Sequence, residues 1–328
     1  MHKILIFLEN KSEGLHPVGL ELLSEVMTQT ASLNDVEVDA LYIGEKLSED
    51  DIHQVKNIGT SNLFMICDSS LKYYDTHYYT NQVIQFLKEH PYDAFLIGST
   101  LIGRDFAPRV SARLHTGLTA DATILAFSMN EGSLLLEATR PALGGNIFAT
   151  ILCTQFKPQM ATVRPGVFSI CSHPSKAFNV TPINMYKQTL SPVEILSIQP
   201  NENEKVELDK APFVIAAGRG VQTKFNDLLN IAENLHVEVA ASRAVVDARI
   251  TSKSRLVGQT GQTIRPKGYI ALGISGAVQH LAGMDQSELV VAVNNDPQAP
   301  IFNIAHMSFI CDANKVIDEI LALQKEQA

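Results

Sequence analysis

A run of small residues in the last third of the chain has the composition of an anion-binding turn. It reads Gly273-Ile274-Ser275-Gly276-Ala277-Val278-Gln279-His280 and directly follows the apolar residues 269–272. A strand, a small-residue turn and a helix start leave backbone N–H groups and the positive end of a helix dipole free, which suits a phosphate. Ser275 is placed to cap the helix and to donate to the anion. The run is not the GxGxxG fingerprint, and a glycine-rich turn with a helix cap explains it about as well.

A polar loop upstream has residues that could contact a planar ligand. Val257, Gly258, Gln259, Thr260 and Gly261 form this loop, and its two glycines let the backbone approach a ligand closely. The side chains between the glycines can hydrogen-bond ring nitrogens or oxygens. A surface turn is an equally good explanation of this loop alone.

Two arginines follow segments with the composition of strands. Ser242 and Arg243 come after residues 237–241, and Arg219 stands between two glycines after residues 213–217. Ligand contacts in open α/β sheets lie after strand ends, and a guanidinium there can bind a diphosphate. A salt bridge for Arg243 and a basic turn position for Arg219 are the alternatives.

A fifth cluster follows the apolar residues 289–293. It reads Asn294-Asn295-Asp296-Pro297, and its side chains could bind an adenosine ribose, although an Asx turn before proline explains it equally well. All five clusters fall between residues 219 and 296, each after a strand or in a glycine-bearing loop. Together they predict a dinucleotide with two phosphates and a polar heteroaromatic ring, bound by one domain.

The segments around these clusters alternate between strand and helix patterns. The expected strands cover residues 213–217, 237–241, 269–273 and 289–293, and the expected helices cover residues 225–235, 277–281 and about 314–323. The first helix has apolar residues at the spacing of a buried stripe, namely Phe225, Leu228, Leu229, Ala232 and Leu235. The alternation predicts a doubly wound, Rossmann-like domain over residues 211–328.

The first part of the chain predicts a separate α/β domain over residues 1–190. Short apolar runs at 4–8, 40–43, 63–67 and 94–98 are spaced by helix-length segments, such as 17–23 and 78–90, as in parallel βαβ units. After Thr119, strand patterns at 122–127, 134–139, 146–152 and 160–163 have only turns between them, which favours an antiparallel addition to the sheet. Residues 191–210 are polar and without periodicity, which is typical of a linker.

Composition limits the classes of partner. The net charge of −9 opposes binding to nucleic acid, and the apolar run near the N-terminus is too short to insert in a membrane. The cysteines Cys67, Cys153, Cys171 and Cys311 have no metal-ligand spacing, so we expect buried free thiols and a cytoplasmic location. We expect no metal site.

Three segments of the second domain match one known family. They are residues 257–261, residues 273–284, and Asn294 with residues 296–302, and they resemble the signature of electron-transfer flavoprotein alpha subunits, including the nitrogen-fixation-associated branch. Segments of the first domain also resemble this family, at residues 20–23, 103–105, 107–109, 116–121, 140–141, 144–146 and 164–166. The resemblance implies FAD as the cofactor.

The resemblance also implies roles for the residues of the clusters. Arg219 and residues 275–277 would hold the diphosphate, Ser242 and Arg243 would lie beside the isoalloxazine, and His280 would lie near its pyrimidine carbonyl. Gln259 and Thr260 would lie near the ring edge, and Asn294 and Asp312 would contact the adenosine half. The complete predicted set is Arg219, Ser242, Arg243, Val257, Gly258, Gln259, Thr260, Gly261, Ser275, Gly276, Ala277, Val278, Gln279, His280, Asn294 and Asp312.

The chain departs from the family pattern at three places. Ala217 stands where glycine is common, Asn295 stands where lysine is common, and residues 306–308 replace a common Asp-Tyr-Gly. The last two departures affect the adenosine end of the predicted site more than the flavin end.

The implied function is electron transfer rather than catalysis on a metabolite, and we expect no catalytic residues. The resemblance implies a heterodimer with a smaller beta subunit that packs on the first domain. It also implies a dehydrogenase or quinone reductase as redox partner, and it leaves open whether the complex bifurcates electrons. A nicotinamide-dinucleotide-binding oxidoreductase subunit and a non-redox nucleotide-binding protein are the alternatives. A flavin absorbance spectrum of the purified protein distinguishes both alternatives from an electron-transfer flavoprotein.

Overall fold

The chain folds into two compact units, Met1–Leu196 and Ser197–Ala328, each built around a parallel sheet. The computed structural model describes residues 1–11, 14–142, 147–173, 177–187, 191–198, 206 and 208–327. The centre of the expected linker, residues 199–205, lies outside the described residues, as do the family-like residues 144–146, where one expected strand was to begin.

The first unit alternates strands and helices over most of its length. In chain order its elements are β1 (His2–Leu8), α1 (Pro17–Thr30), β2 (Val36–Gly44), α2 (Glu49–Asn57), β3 (Asn62–Cys67), α3 (Thr76–Glu89), β4 (Ala94–Gly98), α4 (Leu101–Leu114), β5 (Leu118–Ala122), β6 (Ile124–Asn130), β7 (Ser133–Ala142), β8 (Ile147–Leu152), β9 (Gln159–Val163) and β10 (Asn179–Ile183). Seven strands form a sheet in the order β10-β3-β2-β1-β4-β9-β5, and every pair in it is parallel.

The central strand β1 buries both of its faces. Ile4, Ile6 and Leu8 enter one core, and Leu5 and Phe7 enter the core on the opposite face. Side chains of α1 fill the first core and side chains of α3 and α4 fill the second. A strand covered on both sides has a continuous apolar sequence, and the run at residues 4–8 has this pattern.

The strands after Thr119 are arranged differently from the sequence-based expectation. β6, β7 and β8 form a separate three-stranded antiparallel sheet, and β9 returns to the main sheet as a parallel strand between β4 and β5. The expected antiparallel pairing is confirmed for β6, β7 and β8, but their predicted attachment to the main sheet was wrong, and β9 is parallel. Leu125, Phe127 and Leu134 of β6 and β7 pack in the first core, so the small sheet covers part of the larger one.

The second unit forms a doubly wound parallel sheet. Its elements are β11 (Phe213–Ala217), α5 (Phe225–Leu235), β12 (Glu238–Ala241), α6 (Arg243–Asp247), β13 (Gly268–Leu272), α7 (Val278–Leu281), β14 (Leu289–Asn294), β15 (Met307–Ile310) and α8 (Ala313–Gln327). The strand order is β12-β11-β13-β14-β15, with every pair parallel. The two-domain α/β fold class is confirmed, and β15 is an additional strand that the sequence analysis did not predict.

The two faces of this sheet are covered by different structures. Ile215 and Ala217 of β11 face a core closed by α5 and α8, whereas Val214 and Ala216 face a core closed mainly by irregular segments. The expected buried stripe on α5 does not include Leu235, which is 53% exposed. The helix ends at this residue, and the next residue, His236, has a left-handed backbone conformation. The two cores hold the sheet ends, from which the candidate site is built, in fixed positions.

The cysteines are free, as expected, but their predicted burial was wrong. Cys67, Cys171 and Cys311 are exposed, and Cys153 is half-buried. Cys67 and Cys311 lie at the ends of strands, where the sheet no longer covers them. Within the described ranges, no helix has both the length and the apolar character needed to cross a membrane.

Candidate functional site

The order of the second sheet places a crevice between β11 and β13. The connection after β11 leads to β12 on one side, and the connection after β12 leads to β13 on the other side, so the winding reverses at β11. Ligands of open α/β sheets bind at the carboxyl ends of strands at such a switch point. A cavity of about 770 Å³ opens there, within the range of volumes typical of ligand sites.

Most of the predicted site residues lie in the wall of this cavity. The structure brings together thirteen of them, namely Arg219, Ser242, Arg243, Val257, Gly258, Gln259, Thr260, Ser275, Gly276, Ala277, Gln279, His280 and Asn294. Gly261, Val278 and Asp312 are not part of the wall. The lining is a finding about geometry, and the contact of each residue with a cofactor stays a prediction.

Two lining residues, Asp247 and Leu256, lie outside every segment that the sequence analysis singled out. Asp247 follows Arg243 by four residues on α6, and this spacing is the signal that could have identified it, because side chains four apart on a helix are neighbours. The position of Leu256 depends on how its loop folds over the sheet, and no local pattern indicates it.

The turn after β13 presents unpaired backbone donors to the cavity. The N–H groups of Ser275, Gly276 and Ala277 donate to no acceptor in the described part of the chain. The following helix α7 is a single turn capped by Ala277, with no side-chain capping bond, so the prediction that Ser275 caps a helix was wrong. The anion-binding capacity of this turn therefore resides in its N–H groups rather than in a long helix dipole.

Glycine is required for steric reasons at one point of the wall, Gly276, and at one point beside it, Gly218. Gly276 has φ +84°, and a Cβ atom there would lie 2.2 Å from the backbone nitrogen of Ile301. A Cβ atom at Gly218 would lie 2.0 Å from the carbonyl oxygen of Gly273. These glycines let the loops after β11, β13 and β14 approach one another closely, and the cavity forms where they meet.

The loop before β13 is joined to the turn after β13. The N–H of Gln259 donates to the carbonyl of Gln279 at 2.7 Å, and the N–H of Val257 donates to the carbonyl of Ala241 at 3.1 Å. Gly261 lies outside the cavity wall, and a Cβ there would lie 2.2 Å from the carbonyl oxygen of Leu256. Gly261 is therefore required for the fold of this loop.

Two cationic side chains line the cavity and differ in their partners. The Nε of Arg243 donates to both carboxylate oxygens of Asp247, at 2.8 and 2.9 Å, and its Nη1 donates to Thr260 at 3.3 Å. The salt bridge that the sequence analysis offered as an alternative for Arg243 is thus present. Arg219 begins the 3-10 segment after β11 and is exposed, so its charge is directed to solvent and the cavity mouth.

Asn294 and Asp312, the predicted adenosine contacts, already hydrogen-bond to other residues of the protein. Asn294 is buried, donates from Nδ2 to the carbonyl of Ile274 at 2.8 Å, and accepts from the N–H of Asp296 at 2.9 Å. The Asx turn, the alternative explanation of this cluster, is therefore formed. Asp312 is exposed and accepts from the backbone and side-chain nitrogens of Asn314, and these bonds hold its pKa below the usual range.

A buried histidine forms one side of the cavity. His280 is 7% exposed, and burial lowers the pKa of its imidazole to about 4. Its Nε2 lies 2.8 Å from the hydroxyl oxygen of Tyr269, and its Nδ1 has no hydrogen-bond partner. The nearby backbone of Val257 acts in the opposite direction and raises the pKa, but burial is the larger effect.

The donor set fits a dinucleotide better than a simple metabolite. Unpaired N–H groups and Arg219 provide anion recognition, while Thr260, Arg243 and His280 provide polar groups along the rest of the cavity. These residues meet the requirements of FAD, which carries a diphosphate and a heteroaromatic ring with several hydrogen-bond acceptors.

Comparison with known proteins identifies the family of the chain. The electron transfer flavoprotein domain model matches residues 4–185, and the electron transfer flavoprotein FAD-binding domain model matches residues 207–285. The electron transfer flavoprotein subunit alpha of Clostridium acetobutylicum is 39% identical over 98% of this chain and 96% of its own length. The chain belongs to the electron transfer flavoprotein alpha-subunit family.

Other relatives of this alpha subunit carry different names. Protein FixB of Clostridium saccharobutylicum is 38% identical over 98% of this chain and 96% of its own length. The lactate dehydrogenase (NAD(+),ferredoxin) subunit LctC of Acetobacterium woodii is 35% identical over 98% of this chain and 76% of its own length.

The family assignment bears on the cavity in the second unit. An electron transfer flavoprotein alpha subunit binds FAD through its FAD-binding domain, and the matched residues 207–285 include all of the lining from Arg219 to His280. Asn294 and the residues after it lie beyond the match, in the part of the cavity where this chain departs from the family pattern.

Proposed function

We propose that this alpha subunit binds FAD in the switch-point cavity of its second unit and passes electrons between redox partner proteins. The observation that carries the proposal is the turn with unpaired N–H groups at Ser275, Gly276 and Ala277, placed beside Arg219 at a cavity of the size a cofactor needs. FAD supplies one- and two-electron redox chemistry when bound, and the protein positions and tunes it.

The lining residues would divide the binding task between them. The N–H groups of residues 275–277 would donate to the diphosphate, and Arg219 would offset its charge. Arg243, oriented by Asp247, would lie on the ring side with Thr260 and with the neutral imidazole of His280. The proposed roles of Gly258, Gln259 and Gln279 are to fix the loop that covers the ring.

We further propose that the chain acts as half of a heterodimer with an electron transfer flavoprotein beta subunit. A dehydrogenase or a quinone reductase would exchange electrons with this heterodimer. Relatives named as subunits of acryloyl-CoA reductase and of lactate dehydrogenase support a dehydrogenase as partner. The first unit would contact the beta subunit. The boundary between the two domains would fall within residues 191–210. The protein would be cytoplasmic, a location with which its exposed free thiols are compatible.

One substitution isolates a single donor of the proposed diphosphate site. Ala277 has φ −56° and ψ 143°, which proline adopts without strain, so Ala277→Pro removes one N–H group and keeps the backbone conformation. Ala277→Ser retains the N–H group and is the matched control. Both variants should be co-expressed with the beta subunit, and FAD content should be measured from the flavin absorbance per heterodimer.

We expect Ala277→Pro to raise the FAD dissociation constant by roughly tenfold or more, the effect of one hydrogen bond to a charged group. Ala277→Ser should bind FAD as the unmodified chain does. Equal affinity of the Pro and Ser variants would show that the diphosphate does not use this N–H group.

A further inference from the structure

The connection between β12 and β13 carries a concentration of positive charge. Residues 242–267 contain six of the chain's 26 lysines and arginines and one of its 35 aspartates and glutamates, in a protein of net charge −9. The same connection supplies cavity-lining residues at positions 242–244, 247 and 256–260. A basic segment therefore borders the cavity, although the protein as a whole is acidic.

Three exposed cations of this connection lie in or next to the lining segments. Arg243 is itself a lining residue, and Arg249 follows the lining residue Asp247 by two positions. The carbonyl of Lys253 accepts from the N–H of Leu256 at 3.1 Å, and Leu256 lines the cavity. Leu256 also forms a bridge to the last residue of β12, so the chain returns after α6 to the edge of the sheet.

Two of these cations have no charged partner in the described part of the chain. Arg249 and Lys253 form no ion pair there, whereas Arg243 pairs with Asp247. Ile250, between Arg249 and Lys253, is 38% exposed. Apolar contacts within a polar rim are typical of protein–protein interfaces. We call the set of Arg243, Arg249, Ile250 and Lys253 the cationic edge.

The backbone of Arg249 is unusual for a residue that bears a side chain. Its φ is +58°, in the left-handed region that a Cβ atom disfavours and that glycine adopts freely. The side chain is exposed, so burial does not offset this cost. The chain therefore has a cation at a position where the local backbone favours glycine, which indicates a role in contacts outside the chain.

We propose that the cationic edge is the docking surface for an acidic face of a redox partner protein. This inference rests on the proposed function, because it requires FAD in the cavity beside the edge. The rest of the chain is strongly acidic, so an acidic partner is repelled elsewhere and attracted here. The difference orients the redox centre of the partner towards the proposed ring side of FAD, where Arg243 and Thr260 are both exposed.

Electron transfer to small inorganic acceptors measures the electric field at this edge. Hexacyanoferrate(III) is an anion, hexaammineruthenium(III) is a cation, and each accepts one electron from reduced FAD. Second-order rate constants should be measured at low and high ionic strength for the FAD-loaded heterodimer with the unmodified chain, Arg249→Gly or Lys253→Gln. We expect each substitution to slow reduction of the anion by roughly two- to threefold at low ionic strength and to speed reduction of the cation. Salt should diminish both effects.

A protein probe tests docking itself. Flavodoxin, an acidic carrier of one electron, should bind the heterodimer at low ionic strength, and added salt should weaken the complex. Arg249→Gly should raise its dissociation constant by roughly two- to fivefold, the effect of one exposed ion pair. Absence of binding at low ionic strength, or equal affinity of the unmodified chain and Arg249→Gly, would overturn the proposal.

A matched control removes an exposed cation from another element of the same unit. Lys325 lies in the last turn of α8 and is not a lining residue. Lys325→Ala should leave the flavodoxin affinity and the rate constants for both inorganic acceptors unchanged. Effects as large as those of Arg249→Gly would mean that net charge, rather than the cationic edge, controls association.

The unfolding temperature of Arg249→Gly separates a docking role from a structural one. Glycine relieves the left-handed backbone, so the variant should unfold at the same temperature as the unmodified chain or higher. A lower temperature would show that the Arg249 side chain stabilises the fold, contrary to the proposal. Weaker binding of the beta subunit would assign the edge to that subunit, and Arg249-dependent binding to phosphatidylglycerol vesicles would assign it to a membrane; either result overturns the proposal.

Failure of this inference is distinguishable from failure of the proposed function. A heterodimer that binds FAD, but whose rate constants are unaffected by Arg249→Gly and Lys253→Gln, would refute the cationic edge alone. A heterodimer of the unmodified chain without FAD would refute the proposed function.

Discussion

At the residue scale, the charge of Arg243 cannot be considered apart from Asp247. A lone guanidinium about 4 Å from a reduced ring would contribute about 4 kcal/mol at an effective dielectric of 20. In the structure the guanidinium is 64% exposed and shares its charge with the carboxylate of Asp247, which also lines the cavity. Solvent and the carboxylate both weaken its field, so we expect an effect nearer to that of a surface ion pair, at or below about 1 kcal/mol.

The two charges should therefore shift the potential of bound FAD in opposite directions. Arg243→Ala removes the cation and should lower the midpoint potential by a few tens of millivolts, since about 2.3 kcal/mol corresponds to 100 mV per electron. Asp247→Asn removes the anion and should raise the potential by a similar amount. Redox titration of the FAD-loaded heterodimer measures both shifts.

The first unit provides a matched control for these substitutions. Arg109 and Asp105 form an i, i+4 ion pair of the same type on α4, with Nη2 and Oδ1 3.2 Å apart. Arg109→Ala should leave the flavin potential unchanged. If Arg243→Ala and Asp247→Asn shift the potential in the same direction, the pair acts through structure rather than through charge.

The residues of the site were easier to predict than their individual roles. Strand-end position and small-residue turns located Arg219, Ser242 and residues 275–277, because ligands of open sheets bind at these points. Local pattern could not show that Gly276 is fixed by contact with Ile301, which is distant in sequence. A bulky residue at Gly276 would strain the turn itself, so loss of FAD from such a variant would not identify a phosphate contact.

At the element scale, the parallel strands with helices between them were predictable and the return of β9 was not. Runs such as residues 4–8 and 213–217 are apolar because both faces of a parallel strand are covered. β9 has the same apolar pattern. It joins the main sheet between β4 and β5, although the strands before it in the chain, β6, β7 and β8, form a separate sheet. Strand pattern gives no information on which edge or gap a strand joins.

The start of α4 places a carboxyl group in an unusual environment. Thr100 caps α4 by accepting from the N–H of Gly103 at 2.9 Å, and its hydroxyl donates to Glu9 at 2.5 Å. Glu9 follows β1 and is buried, close to the phenol of Tyr79. Burial raises its pKa from 4.5 to about 7, an effect that the bond from Thr100 partly offsets.

This carboxyl group should make the first unit less stable as the pH rises. The folded state holds the Glu9 proton more tightly than the unfolded state, so its contribution is fully present below pH 4.5 and is lost as the pH rises to about 7. The difference between these two pKa values corresponds to roughly 3 kcal/mol of folding free energy. The amides of β1 should therefore exchange more slowly in the Glu9→Gln variant than in the unmodified chain at pH 8. At pH 4.5 they should exchange at about the same rate in both.

The control for this measurement is a glutamate at the protein surface. Glu25 of α1 accepts from Gln29 in an exposed i, i+4 pair, and Glu25→Gln should leave β1 exchange unchanged at both pH values. Because intrinsic exchange depends on pH, the variants must be compared with the unmodified chain at the same pH. A Glu9→Gln variant without added protection at pH 8 would show that the carboxyl group ionises without cost to the fold.

At the scale of the whole molecule, the first unit has apolar surface that a lone chain leaves in water. On β8, Ile147, Phe148 and Leu152 are between 49% and 59% exposed, and Ile151 is 40% exposed. β8 is also the last strand of its sheet, so one of its edges has no partner strand among the described residues. An exposed apolar edge strand favours association with another chain.

The lone alpha subunit should therefore be prone to aggregation and poor in FAD, and co-expression with the beta subunit should correct both. A partner and a ligand that bind only the folded state stabilise it by mass action. Light scattering and the flavin absorbance per chain, measured with and without the beta subunit, give the two readouts. A monodisperse lone chain with one FAD per molecule would contradict the expectation.

A charged residue on β8 distinguishes partner binding from general solubility. Phe148→Lys should reduce aggregation of the lone chain, because the edge strand then carries a charge, and it should weaken binding of the beta subunit if β8 lies in the interface. Leu323→Lys, at a 55% exposed position on α8, adds the same charge in the other unit and should leave beta-subunit binding intact. If Phe148→Lys still forms the heterodimer with unchanged affinity, the beta subunit binds elsewhere on the first unit, and the exposed residues of β8 contact another redox partner or none.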